Sequence, residues 1–156
     1  MGDNQYRYVR SRLFPQVAAL LVAGFRENWP DAWPTLDDAL EEVRECCQAG
    51  WISRVALDEE GGVLGWIGGR PEYDGNVWEL HPLVVAPDAQ GQGIGRALVQ
   101  DFEREVQKRG ALTIMLGSDD ENNMTSLGGL NLYPDIGSHV KRIRNLRGHP
   151  YEFYQK

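Results

Sequence analysis

Leu13, Val17, Leu20, Leu21 and Phe25 recur at helical spacing behind Pro15, which suits a first helical turn. The next stretch, ENWPDAWPT, carries two Trp-Pro steps; a residue before proline resists the α region, so the helix ends there. Thr35 then reads as an N-cap with Asp37 and Asp38 in the positive first turn. This second helix would carry Leu36, Leu40, Val43 and Cys47 and stop at Gly50. Alternation over Gln5 to Arg10 favours a short strand. WISRVALD and VLGWIGGRPEY read as strands joined by a hairpin at EEGG. YDGN turns the chain into VWELHPLVVA, a third strand of that run.

A loop with glycines at 91, 93 and 95 follows, then a helix to about Arg109 with Ala97, Leu98, Phe102 and Val106 inward. LTIMLGS reads as a buried strand. The strand–helix–strand order predicts a parallel pair. The fold class is therefore α+β, a mixed and mostly antiparallel sheet flanked by helices. Beyond Ser118 the text turns polar and glycine-containing. A helix is expected from Ile136 to Leu146 with Ile136, Val140, Ile143 and Leu146 on one side, and Pro150 can open another in PYEFYQK.

Charge and composition narrow the chemistry. The chain has 156 residues and a net charge of -7; one domain is the simplest reading, and no dominant basic face points to nucleic acid. No apolar run approaches a membrane span, and the N-terminus lacks the pattern of a secretory signal. Cys46 and Cys47 are adjacent and point in different directions on a helix, so a mutual disulfide and a metal site are not expected. A reducing, cytoplasmic setting follows from that cysteine usage.

The loop between strand and helix carries the strongest signal. No Lys-Ser/Thr follows its glycines, so it is not a P-loop. The dinucleotide fingerprint fails as well, because Arg96 or Leu98 falls where its last glycine belongs. What remains is an anion cradle. Glycines let backbone N–H groups approach a ligand closely, and the helix N-terminus attracts negative charge. Arg96 adds a cation and Gln90 an amide.

QGQGIG, preceded by LVVAP and followed by RALV, resembles the pyrophosphate loop of the Gcn5-related N-acetyltransferases (GNAT). WELHPLVV, LGSDDE and NLRGHPYEFYQK resemble, more narrowly, the aminoglycoside 6′-N-acetyltransferases of the enterococcal chromosomal type. The resemblance runs from Trp78 to Lys156, and the N-terminal half agrees in layout. It implies acetyl-coenzyme A as cosubstrate without a metal, held by Gln90, Gly91, Gln92, Gly93, Ile94, Gly95 and Arg96. It also implies backbone contacts from Val84 and Val85 to the pantetheine arm, a cationic aminoglycoside as acceptor, and a homodimer. That family continues past FYQK with two further strands, so a single domain over 1–156, cut short at its C-terminus, is expected.

Within VWELHPLVVA, undisturbed alternation would set Val77, Glu79, His81, Leu83 and Val85 on one face. Pro82 marks an edge or a bulge. A bulge would part this strand from its parallel neighbour and open a gap for an extended ligand. Glu79 is the acid on that face, able to take a proton from an attacking amine or to fix a cation. The resemblance gives the Leu83 N–H a polarising role on the thioester carbonyl, an oxyanion-type contact. His81 is a weaker site candidate. Asp119 and Asp120 follow a parallel strand, where ligands of open sheets collect, and suit ammonium groups. Glu121 and the 27–31 loop with Trp29 and Trp33 would extend an acidic and aromatic wall. The resemblance implies a tyrosine near the coenzyme sulfur, and Tyr154, with Tyr151 as rival, would protonate the leaving thiolate. Direct transfer to another amine, such as a polyamine or protein N-terminus, and a non-catalytic coenzyme-binding domain are the alternatives.

Overall fold

The computed structural model describes residues 4–155 other than 121 and 134. These form two compact units, Met1–Leu116 and Gly117–Lys156. In the first, β1 (Gln5–Tyr8), β2 (Ile52–Leu57), β3 (Val63–Glu72), β4 (Val77–Val85) and β5 (Thr113–Met115) lie in that order across one sheet. The first three pairings are antiparallel, and β4 with β5 is parallel. The mixed sheet read from the pattern is therefore present, and the β2–β3 and β3–β4 turns fall at the expected glycines. At the former, Asp58 accepts from the N–H groups of Glu60 and Gly62, at 2.9 and 2.7 Å.

Three helices cover the sheet. α1 (Phe14–Phe25) and α2 (Leu36–Cys46) pack on one face. Val17, Ala18, Leu20 and Leu21 of α1 and Ala39, Val43 and Cys46 of α2 bury against Val55, Trp66 and Val84. The Trp66 indole N–H donates to the Ser53 hydroxyl at 2.9 Å inside this layer. α3 (Ile94–Lys108) covers the other face. There Ile94, Leu98, Phe102 and Val106 meet Ile52, Ala56, Ile67, Trp78 and Leu80. Two β3 glycines bring α3 down onto the sheet. A Cβ on Gly65 would stand 2.9 Å from a Leu98 methyl, and one on Gly69 would overlap the Phe102 ring.

α2 starts as expected, with a capping box between Thr35 and Asp38. Its buried stripe is turned, however. Ala39, Val43 and Cys46 face the core while Leu36 is 54% exposed. Small side chains face in because α1 lies against this stripe. α3 also buries two acids that its apolar pattern does not announce. Asp101 takes Arg54 in a two-pronged pair, at 2.6 and 3.1 Å. Glu105 accepts from the Tyr8 hydroxyl, Lys108 and Arg109. LTIMLGS is not a buried strand. β5 has three residues, lies at the edge of the sheet and leaves Leu112 83% exposed just before it.

The second unit is built differently. Among its described residues the buried side chains are Met124, Thr125 and His149. α4 covers Ile136–Lys141 and α5 Tyr151–Tyr154. The helix expected through Leu146 stops early because the following residues join an antiparallel bridge, Thr125 with Asn145. The Leu146 N–H there donates to Met124 O at 2.9 Å and the Ser126 N–H to Arg144 O at 2.9 Å. Ile136, Val140 and Leu146 are consequently exposed rather than inward.

Candidate functional site

α3 begins without a side-chain cap, and Gly93 occupies its N-cap at φ +85°. Gly91 is likewise left-handed, at φ +76°. A Cβ added at either glycine would meet no atom within 4 Å, so the space over this backbone is open. The first N–H groups of a helix lack intrahelical acceptors and carry its positive dipole end. Ile94, Gly95 and Arg96 form that first turn, and the Arg96 side chain is exposed beside it. The Gln90 amide donates to Val85 O at 3.3 Å and ties the loop to the end of β4. Gln92 donates to Asp88 O at 3.5 Å.

β4 carries the bulge that Pro82 signalled. Gly69 pairs with Leu80 but Ile67 with Leu83, so β4 holds one extra residue there. The His81–Pro82 peptide is cis. Pairing with β5 ends at Glu79 opposite Met115, which leaves the edge beyond the bulge without a strand partner among the described residues. The Ala86 N–H donates to Leu64 O at 2.8 Å across the β3 side. Alternation then turns the N–H groups of Leu83 and Val85 away from β3, to the unpaired edge. Anion loop and strand edge thus adjoin.

The same bulge corrects the expected shared face. Val84 packs with α1, whereas Leu83 and Val85 pack with α3, as do Trp78 and Leu80 before the bulge. Glu79 and His81 therefore lie on the α1–α2 side, opposite Leu83 and Val85. The alternation shifts by one position because residues 81 and 82 together oppose Gly68.

Glu79 is half-buried and ion-paired. Arg70 Nε lies 2.5 Å from its Oε2 and 3.1 Å from Glu72 Oε1. Arg70 did not emerge from reading the residues, although counting back from the YDGN turn pairs 72 with 77 and 70 with 79, the observed register. His81 Nε2 stands 3.7 Å from Glu42 Oε1, and its ring tilts against Trp33 with centroids 5.8 Å apart. The Cys46 thiol donates to the same Glu42 oxygen at 3.4 Å. Burial, followed by Glu42, raises the Cys46 thiol well above its ordinary pKa, and burial raises that of Cys47; neither is an activated nucleophile. Trp33 and Trp29 both pack on Phe25.

Asp119, Asp120 and Tyr154 belong to the second unit. Asp120 accepts from the N–H groups of Met124 and Thr125, at 2.6 and 3.0 Å, and from the Thr125 hydroxyl at 2.6 Å. Burial would raise its carboxyl, but these hydrogen bonds outweigh that and hold it below the usual range. Its carboxylate is thus committed to shaping the loop. The Asp119 carbonyl accepts from buried His149 Nε2 at 2.7 Å, and His149 Nδ1 accepts from the Tyr151 N–H at 3.2 Å. Burial raises the Tyr154 phenol, whose ring meets Phe153 edge-on. Glu121 lies outside the described residues.

A family model described as "Acetyltransferase (GNAT) family" matches residues 14–133. The solved aminoglycoside 6′-N-acetyltransferase complexed with coenzyme A is 36% identical, with a TM-score of 0.85, over 97% of this chain and 82% of that one. The aminoglycoside 6′-N-acetyltransferase from Enterococcus faecium matches at 36% identity over the same shares, with a TM-score of 0.83. Among curated proteins, the mycothiol acetyltransferase of Stackebrandtia nassauensis is 33% identical over 104 residues, 64% of this chain and 34% of its own length. The chain spans about a third of the length of the curated relatives it matches.

Proposed function

From the membership of this chain in the GNAT acetyltransferase family, we propose that it transfers acetyl from acetyl-coenzyme A to the 6′-amine of an aminoglycoside by direct attack. The observation that carries the reading is the unpaired edge of β4 beside the bare N-terminus of α3. The edge suits an extended amide-bearing arm, and the helix end suits its pyrophosphate. The 6′-aminoglycoside acceptor draws on the 36% identity over 97% of the chain and on the net charge of -7.

The bound cosubstrate supplies an activated acetyl thioester. Gln90, Gly91, Gln92, Gly93, Ile94, Gly95 and Arg96 bind its pyrophosphate, and the Val85 backbone binds its arm at the open edge, whereas the backbone of Val84, also expected there, is turned to Trp66 on β3. The Leu83 N–H polarises the carbonyl. Glu79 receives the proton of the attacking amine, directly or through water. His81 and Asp119 are the groups that would draw a cationic acceptor, while Asp120 holds the loop through its hydrogen bonds to Met124 and Thr125. Tyr154, whose burial favours the protonated phenol, gives its proton to the departing thiolate and is reprotonated from solvent.

Thiol release from acetyl-coenzyme A, followed with kanamycin A and with its 6′-hydroxyl analogue, tests the reading. Turnover of the first and not the second is expected; equal rates overturn the 6′ position. A second reading, acetylation of a different amine, draws on the mycothiol acetyltransferase match. It would replace the first if spermidine or a peptide N-terminus turned over and kanamycin did not.

A further inference from the structure

Arg70 stands directly across the ladder from Glu79 and touches it at 2.5 Å while holding Glu72 at 3.1 Å. A cross-strand ion pair supports a sheet, but here the arginine lies against the carboxylate proposed to meet the acceptor. Acetyl transfer offers a reason. The reacting nitrogen must arrive with its lone pair free, yet a lone carboxylate favours the ammonium form, which cannot attack. Arg70 leaves the Glu72–Arg70–Glu79 trio with one net negative charge instead of two. Also on that side of β4 are His81, its partner Glu42 and the Cys46 thiol, with Glu45 and Cys47 beside that thiol at the end of α2, and Met115, opposite Glu79 on β5, is neutral.

We infer that Arg70 is a positioning residue that weakens the hold of Glu79 on ammonium, so that a larger share of the bound acceptor amine is in its reactive, neutral form. The inference rests on the proposed role of Glu79.

The test is steady-state kinetics with kanamycin A and acetyl-coenzyme A from pH 5.5 to 9, for the wild type, Arg70→Gln, Arg70→Lys and Glu79→Gln. Coenzyme affinity serves as the check on folding. A half-buried charge of this kind is worth about threefold in ammonium binding. The same threefold is a rise of about half a unit in the pKa of the bound amine. In Arg70→Gln, KM and kcat for kanamycin should therefore both fall by about threefold at neutral pH. Their ratio should stay within about twofold, and the acid limb of kcat should move up by about half a unit. Arg70→Lys, which keeps the charge, should restore wild-type values. An unmoved KM and acid limb in Arg70→Gln overturn the inference. So does a fall in kcat/KM at neutral pH, which marks plain cross-strand support. Wild-type turnover in Glu79→Gln instead overturns the role of Glu79, and this inference with it.

Discussion

The two units of the chain are held together by different forces. In the first, a sheet is sandwiched between apolar layers from α1 and α2 on one side and α3 on the other. In the second, Asp120, Asn145, Arg147 and His149 knit the backbone through hydrogen bonds, while Leu130, Tyr133, Val140 and Leu146 are exposed. Apolar burial is non-directional and tolerates local rearrangement; side-chain-to-backbone hydrogen bonds fix individual atoms but stabilise little each. The difference suits the proposed division of labour: a firm coenzyme platform in the first unit, and in the second a loop-built segment carrying Asp119 and Tyr154.

That contrast can be broken by three measurements. The largest effect is expected from Phe102→Ala, which removes a fully buried ring beneath Gly69. A loss of about 3–5 kcal/mol should appear in urea unfolding followed by tryptophan fluorescence, since all five tryptophans lie in the first unit. Asp120→Ala removes three hydrogen bonds and should cost the second unit about 2 kcal/mol, read as faster amide exchange at Met124 and Thr125. If it lowered the tryptophan-reported stability as much as Phe102→Ala does, the contrast would collapse. Glu105→Gln is the smallest, about 1 kcal/mol at neutral pH. Burial works against the Glu105 carboxylate, but Lys108, Tyr8 and Arg109 prevail and lower it from 4.5 to about 2. A depressed carboxyl contributes its stability fully above pH 4.5 and loses it as pH falls toward 2. The variant should therefore flatten the acid limb of the stability curve between those values. An unchanged limb would strip the Glu105 cluster of a stabilising role.

Periodicity made the first unit legible because burial writes itself at intervals of two and 3.6 residues. It gave α1, the N-cap of α2, the β2–β3 hairpin and α3 nearly to their ends. It missed the turned stripe of α2, because Ala39 and Cys46 are small and Leu36 is large, and apolar size was taken for inwardness. Pro82 announced the bulge of β4, but which residues change face depends on the ladder register. Arg70 was hidden for the same reason. The burial of Asp101 and Glu105 was not legible in the sequence, because their partners Arg54 and Tyr8 lie 47 and 97 residues away. In the second unit little was legible, since hydrogen bonds from Asp120 or Arg147 to main-chain atoms leave no repeating trace. Expecting a helix through Leu146 imposed a period on a segment shaped by contacts with Met124 and Ser126.

Gly65 and Gly69 set a clearance. With no methyl between β3 and α3, the helix rests at the least separation the sheet permits, and Leu98 and Ile94 come within 2.9 and 3.3 Å of where a Gly65 methyl would stand. Ordinary carbon contacts need about 3.5–4.0 Å, so one methyl there would act as a shim and raise the front of α3 by a fraction of an ångström. The anion loop rides on that end of the helix. Its aim is thus machined by two hydrogen atoms on a different strand, and can be detuned without altering any residue of the proposed pyrophosphate site.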